Sequence, residues 1–171
     1  VLLLVVNAVQ VRRILLGDEG LARHLKPGTA IMVSSTIAAE EASTLAAELA
    51  QLGLPMLDAP VSGGAIKADA GEMTVMAAGS DAAFDKLAPV LDAVSGKLYR
   101  VGSEPGQGST VKIIHQLLAG VHIAVAAEAM ALGVANGLEP ATLAEIMRQS
   151  SGGNWSLEKY NPWPGVIPSA P

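Results

Sequence analysis

A doubly wound α/β sheet that gives way to an all-helical unit is the fold class this sequence predicts, on three observations. Short aliphatic runs alternate with segments of helical periodicity, glycines punctuate their ends, and strand-like runs cease after Val101. The strands are predicted at Val1–Val6, Ala30–Ser34, Pro55–Asp58, Met73–Ala77 and Lys97–Val101. The early ones are apolar throughout, as strands buried on both faces are. Between them Val9–Leu25, Ala38–Leu52 and Asp81–Val94 carry apolar residues at helical spacing, with Gly17, Gly20, Gly53 and Gly96 near their ends as stop signals. Beyond the last strand the pattern stays helical from Gly106 to Gly137, and a second helix runs from about Pro140 to Gln149. The expected division is a sheet over residues 1–104 and a long helix opening an all-α unit over residues 105–171.

Composition removes several function classes. In 171 residues half are apolar and 16% are charged, against a typical ~25%, so the chain is packed and not disordered. Eleven basic and sixteen acidic residues leave a net charge of −5 with no Lys/Arg run, which argues against nucleic acid as a partner. The absence of cysteine excludes disulfides, zinc–thiolate sites and redox thiols, and three histidines without HExxH-type spacing predict no metal site. Val1–Val6 is too short to span a bilayer, and Leu117–Ala127 contains His122 and runs into Glu128, as a soluble helix buried on several sides does. No membrane partner is expected. A valine at position 1, opening directly into a core strand, suggests a sequence that begins mid-domain. The tail from Ser150 holds three of the five aromatic residues, Trp155, Tyr160 and Trp163, and reads as an ordered loop or a segment that stops before its next helix.

Two strings carry candidate chemistry. Asp58-Ala-Pro-Val-Ser-Gly-Gly64 ends a strand with Ser62, Gly63 and Gly64, where backbone N–H groups reach an anion such as a carboxylate without a Cβ in the way; a plain glycine turn is the alternative. Gly106-Gln-Gly-Ser-Thr-Val111 imitates a dinucleotide fingerprint but leads to a second helix and no parallel strand, so no βαβ unit is there to hold a pyrophosphate. Its glycines are expected to turn the chain into the long helix and to let that helix's N-terminus face a ligand.

Lys112 lies in the first turns of this helix, with His115 and Gln116 on its face at i+3 and i+4. Apolar neighbours and the positive helix end both lower a lysine's pKa toward that of a general acid or base; a snorkelling surface lysine is the bland alternative. His115 reads as a hydrogen-bonded core histidine before it reads as a ligand, and Thr36 as an N-cap or a contact at the sheet's carboxyl edge. The three tail aromatics either cover a site or pack on the helical unit.

Together the strings Asp58-Ala-Pro-Val-Ser-Gly-Gly-Ala-Ile-Lys-Ala-Asp-Ala-Gly71 and Gly106-Gln-Gly-Ser-Thr-Val-Lys112 resemble the substrate-binding and catalytic-lysine signatures of the β-hydroxyacid dehydrogenase family, over essentially the whole chain. The resemblance implies the C-terminal part of a Rossmann-type domain followed by the start of an all-α domain. It implies NAD or NADP as cofactor and a small hydroxyacid of 3-hydroxyisobutyrate or threonate type as substrate. Lys112 would then be the acid/base, Ser62, Gly63 and Gly64 the carboxylate cradle, and Gln116, with His115, a substrate contact. Val6, Asn7 and Thr36 match cofactor-contact positions. His115 stands where many members have Asn, as in threonate-type members and in 6-phosphogluconate dehydrogenases, whereas Glu128–Gly137 and the Ser150–Val166 region look like bacterial 3-hydroxyisobutyrate dehydrogenase.

The resemblance also implies a cytoplasmic homo-oligomer, and an internal fragment without the opening Gly-x-Gly-x-x-Gly unit or the final helices, so dinucleotide affinity is expected to be poor. Two other readings use the same residues. One is a non-catalytic remnant or interaction module. The other is a decarboxylating phosphosugar-acid dehydrogenase, for which Lys112 and His115 speak but whose phosphate ligands are reduced to Lys159 in the stretch 155–164.

Overall fold

Strands with no polar face are stable only between two helical layers, and the sheet is built to that rule. In the computed structural model, which describes residues 1–166, β1 (Leu2–Leu3), β2 (Ile31–Val33) and β3 (Met56–Asp58) lie side by side in parallel. The crossovers are α1 (Ala8–Leu16) and α2 (Ala39–Gln51). Alternate residues of β2 feed opposite cores: Ile31 and Val33 pack with Val11, Leu15, Leu45 and Leu49, while Met32 packs with Leu57, Phe84, Leu87 and Leu91. Helices on both faces of a mainly parallel sheet make this the expected doubly wound α/β architecture.

The far half of the sheet departs from an all-parallel plan. β4 (Val61–Ser62) and β5 (Met73–Ala78) are antiparallel, with Val61 opposite Val75 and Ser62 opposite Thr74, and β3 also meets β5 antiparallel at Asp58 and Ala78. β3 and β4 therefore act as one strand interrupted at Ala59 and Pro60. Proline has no N–H to give to a ladder, but the Pro60 carbonyl still accepts from Met76 N–H at 3.0 Å. After α3 (Gly64–Asp69) and α4 (Asp81–Val94), β6 (Ser95–Gly102) returns parallel to β5.

Two expected elements are shorter than their periodicity suggested. Only Leu2 and Leu3 of the Val1–Val6 run are strand, and Leu2, Leu4 and Val6 are exposed, because among the described residues β1 has a neighbour on one side alone. The helix expected over Val9–Leu25 stops at Leu16. A Cβ on Gly20 would lie 2.4 Å from the Leu15 carbonyl, so the chain folds back there as only glycine permits and continues as a short 3-10 turn, Leu21–His24.

Contacts divide the chain into two units, Val1–Ile113 and a helical unit from Ile114 onward. The division falls inside α5 (Gln107–Ala135), whose first turns pack with the sheet. In the helical unit, Ala126 and Met130 of α5 pack with Ala144 of α6 (Pro140–Arg148), Leu157 of α7 (Trp155–Lys159) and the partly buried Trp163. Trp155 and Tyr160 stack on each other with ring centroids 4.6 Å apart. The burial expected for Leu117–Ala127 is not found: Leu117 is 65% exposed, and Leu118, Val121, Ile123 and Val125 are exposed as well. This helix is apolar on all sides, long enough in length and composition to cross a membrane, and α6 and α7 reach only part of its circumference.

Glycine 108 sits where α5 presses on the sheet, and a Cβ there would lie 2.5 Å from the Asp58 carbonyl and 2.6 Å from that of Met76. Gly120, on the same helix, has nothing within 4 Å of that position. Gly120→Ala is expected to stabilise the chain by about 0.5–1 kcal/mol through helix propensity, and Gly108→Ala to destabilise it by about 1–3 kcal/mol through overpacking. Urea unfolding midpoints of the two variants, moving in opposite directions, are the measurement.

Candidate active site at the carboxyl edge of the sheet

The N-terminus of α5 carries backbone donors that no helical carbonyl can satisfy. The side chain of Asp58, fully buried at the end of β3, meets them. Its Oδ2 accepts from the N–H groups of Gly106 and Ser109, each at 2.8 Å, and its Oδ1 accepts from the Ser109 hydroxyl at 2.7 Å. Beside it the Ser43 hydroxyl donates to the Pro105 carbonyl at 2.8 Å. Gly106 has φ +106°, a conformation suited to glycine, and a Cβ there would strike Ser43 Oγ. The expectation that these glycines let the helix face a ligand is therefore corrected: the helix end faces a carboxylate of its own chain.

One turn beyond Ser109 comes Lys112, 7% exposed. Desolvation by burial lowers its pKa below 10.5. A surface-snorkelling lysine is not what the structure contains. His115 and Gln116 follow on the same helix but fall in the second unit, and both are exposed. His115 Nδ1 lies 3.1 Å from Gln116 Oε1. His115 is thus not a core histidine, because α5 beyond Ile113 is uncovered on that side.

Ser62, at the end of β4, and Gly63 are half-buried, and Gly63 and Gly64 take φ values of +145° and +66°, which L side chains rarely adopt. No side chain caps α3, so the backbone N–H groups at this turn have no side-chain acceptor. Asp58 lies four residues before Ser62 on the same broken strand, so the segment that bears the turn also anchors α5.

At the carboxyl ends of β1 and β2, where open α/β sheets bind ligands, a cleft of about 370 Å³ is lined by Asn7, Thr36, Glu41 and the apolar Ala8, Val9, Ile37 and Ile113. Asn7 caps α1 by accepting from Gln10 N–H at 3.0 Å. Thr36 is exposed and caps nothing: the residue before α2 is Ala38, whose N–H donates to Glu41 Oε2 at 3.2 Å. Val6 is 81% exposed and does not line the cleft. An amide, a hydroxyl and an apolar wall fit one end of a nicotinamide dinucleotide, the ring with its ribose. No cluster of metal-ligating side chains occurs among the described residues.

Sequence reasoning quoted Asp58 as part of a string and gave it no task, and it passed over Ser109. A carboxylate at the end of an apolar strand was the available signal, since such a group must find donors once buried.

Comparison with known proteins places these residues in a family. The family described as "NAD binding domain of 6-phosphogluconate dehydrogenase" matches residues 1–102, and that described as "NAD-binding of NADP-dependent 3-hydroxyisobutyrate dehydrogenase" matches residues 106–164. The L-threonate dehydrogenase of Escherichia coli O6:H1 is 63% identical over 92% of this chain and 52% of its own length. The 3-hydroxyisobutyrate dehydrogenase of Pseudomonas aeruginosa is 45% identical over 94% of this chain and 54% of its own. A crystal structure of 3-hydroxyisobutyrate dehydrogenase from Salmonella typhimurium superposes with a TM-score of 0.85 at 57% identity, covering 92% of this chain and 54% of that one. The chain spans about half the length of the relatives it matches.

The lowered pKa of Lys112 has a consequence for stability. Between its folded pKa and the unfolded value near 10.5, the unfolded chain binds more protons than the folded one, so stability rises with pH across that window. Lys112→Met removes this dependence. The unfolding free energy of the parent chain minus that of Lys112→Met should stay flat at neutral pH and increase as pH climbs toward 10.5. Guanidinium titrations of both proteins at a series of pH values measure the difference, in which other titrating groups cancel.

Proposed function

The chain belongs to the β-hydroxyacid dehydrogenase family, and on that premise we propose that it serves an NAD(P)-dependent oxidoreductase acting on the alcohol of a small β-hydroxyacid, with Lys112 as general acid/base. The observation that carries this reading is a buried, pKa-lowered lysine on a helix clamped to the strand that leads into the Ser62–Gly64 turn. A lysine can take a proton only from its neutral form, and burial makes that form accessible nearer neutral pH.

In this mechanism the hydroxyl of Ser62 and the backbone N–H groups of Gly63 and Gly64 hold the substrate carboxylate. The family resemblance assigns His115 and Gln116 to substrate contact as well. Asn7 and Thr36, with Val6 nearby in sequence, would hold the nicotinamide cofactor, which when bound would supply the acceptor for the hydride of the carbinol carbon. As the C–H bond breaks, Lys112 Nζ removes the hydroxyl proton and the carbonyl forms; in the reverse direction the ammonium returns it. Burial of Lys112 keeps bulk water from competing for that proton.

L-threonate-like hydroxyacids are the favoured substrates. The relative at 63% identity is an L-threonate dehydrogenase, and by the resemblance His115, three residues after the lysine, is shared with threonate-type members as well as with 6-phosphogluconate dehydrogenases. The reading includes a cytoplasmic homo-oligomer, for which the exposed aliphatic side chains of α5 supply surface in need of cover.

Lys112→Ala in the full-length enzyme is expected to lower kcat by at least ~100-fold with little change in KM. Steady-state kinetics with L-threonate, 3-hydroxyisobutyrate and 6-phosphogluconate should give the highest kcat/KM for L-threonate. Near-normal turnover by Lys112→Ala would remove the lysine from the mechanism, and a preference for 6-phosphogluconate would overturn the substrate class.

A further inference from the structure

The mechanism above gives no task to the most deeply buried carboxylate of the sheet. Taking such a group out of water is costly unless donors meet it, and Asp58 has no cation within ion-pair distance among the described residues. Its three donors all come from Gly106 and Ser109, the residues just ahead of Lys112. The backbone of Asp58 continues through Ala59 and Pro60 into Val61 and Ser62, which are held in register by Val75 and Thr74. One side chain thus connects the turn assigned to the substrate carboxylate with the helix that bears the lysine.

We propose that Asp58 is a positioning residue for the reaction: by clamping the first turn of α5 to the strand leading into the Ser62–Gly64 turn, it sets where Lys112 stands relative to the substrate. This rests on the reading of Lys112 as acid/base. Hydrophobic contact alone would not do the same, because it is non-directional. A slip of the helix by one residue rotates its side chains by about 100° and would carry Lys112 to another face. Three directional bonds at 2.7–2.8 Å forbid that slip, and the bare Cα of Gly108 lets the helix approach the Asp58 and Met76 carbonyls closely enough to form them. Ser43, through the Pro105 carbonyl, steadies the loop that enters the clamp.

The test is a double-mutant cycle in the full-length enzyme with Ser109→Ala, Asp58→Asn and Lys112→Ala. Ser109→Ala keeps the Asp58 carboxylate and both backbone donors and deletes one bond, so it decides the matter even where Asp58→Asn does not fold. Ser109→Ala is expected to lower kcat by about 10-fold and Asp58→Asn by about 100-fold, with KM for the hydroxyacid within about 3-fold, as a misplaced proton acceptor demands. In the Lys112→Ala background Ser109→Ala should have no further effect on kcat, since the group it positions is gone. A purely structural clamp would lower the unfolding temperature and reduce kcat equally in both backgrounds. That additive result, or an unchanged kcat in Ser109→Ala, overturns the proposal. Should Lys112→Ala itself turn over normally, the acid/base reading falls first, and separately.

Discussion

Three hydrogen bonds converge on the Asp58 carboxylate, and the arrangement of the sheet's carboxyl edge depends on them. Bonds to a charged acceptor contribute more than neutral ones, about 1.5–3 kcal/mol each, and in a buried site the alternative to making them is an unsolvated charge. The carboxylate therefore tolerates little displacement of either partner. β3, the entry loop before α5 and the first turn of α5 are fixed together by one side chain, and Lys112 inherits its place from that assembly.

Glycine acts at this edge in two physically different ways. At Gly63 and Gly64 the requirement is conformational, since φ values of +145° and +66° exclude ordinary side chains whatever the space around them. At Gly108 the requirement is proximity, because a Cβ would collide with two backbone oxygens. The first kind shapes a turn with backbone N–H groups free of a side-chain cap, and the second lets a helix dock by its end. Read as a phosphate-binding fingerprint, Gly106-x-Gly108 would have been assigned the wrong partner. Its spacing serves a carboxylate inside the protein.

Much of the architecture was legible because it rests on periodicity. β2, β3, α2, α4, α5 and α6 lie where alternation and helical spacing place them, within a residue or two. What escaped had no period to read. β4 is two residues long and its pairing is set by β5, so no local pattern announces it. α1 ends early because Gly17 and Gly20 allow a fold-back that apolar spacing alone would carry through. The exposure of Leu117, Leu118 and Val121 was hidden because an all-apolar helix says it needs cover without saying which residues provide it. Of the candidate site, Lys112 and the Ser62–Gly64 turn stood out by residue type and context. Asp58 did not, since its importance lies in donors 48 and 51 residues away.

The contrast along α5 bears on mechanism. An amphipathic helix buries its apolar stripe and exposes its lysines. Here the order is inverted: Lys112 is buried, while its apolar neighbours in the same turns, Val111 and Ile113, are exposed. An apolar stripe cannot therefore be what seats the first turns on the sheet, and the burial of Lys112 is a product of the polar clamp and the close glycine approach. Hydrophobic docking tolerates small rotations at little cost, whereas a buried carboxylate with three short donors does not. In the proposed mechanism Lys112 must meet a substrate hydroxyl within hydrogen-bond reach, which calls for the second kind of seating. The desolvation that lowers the lysine's pKa follows from the same contact, so placement and proton affinity are two results of one packing decision.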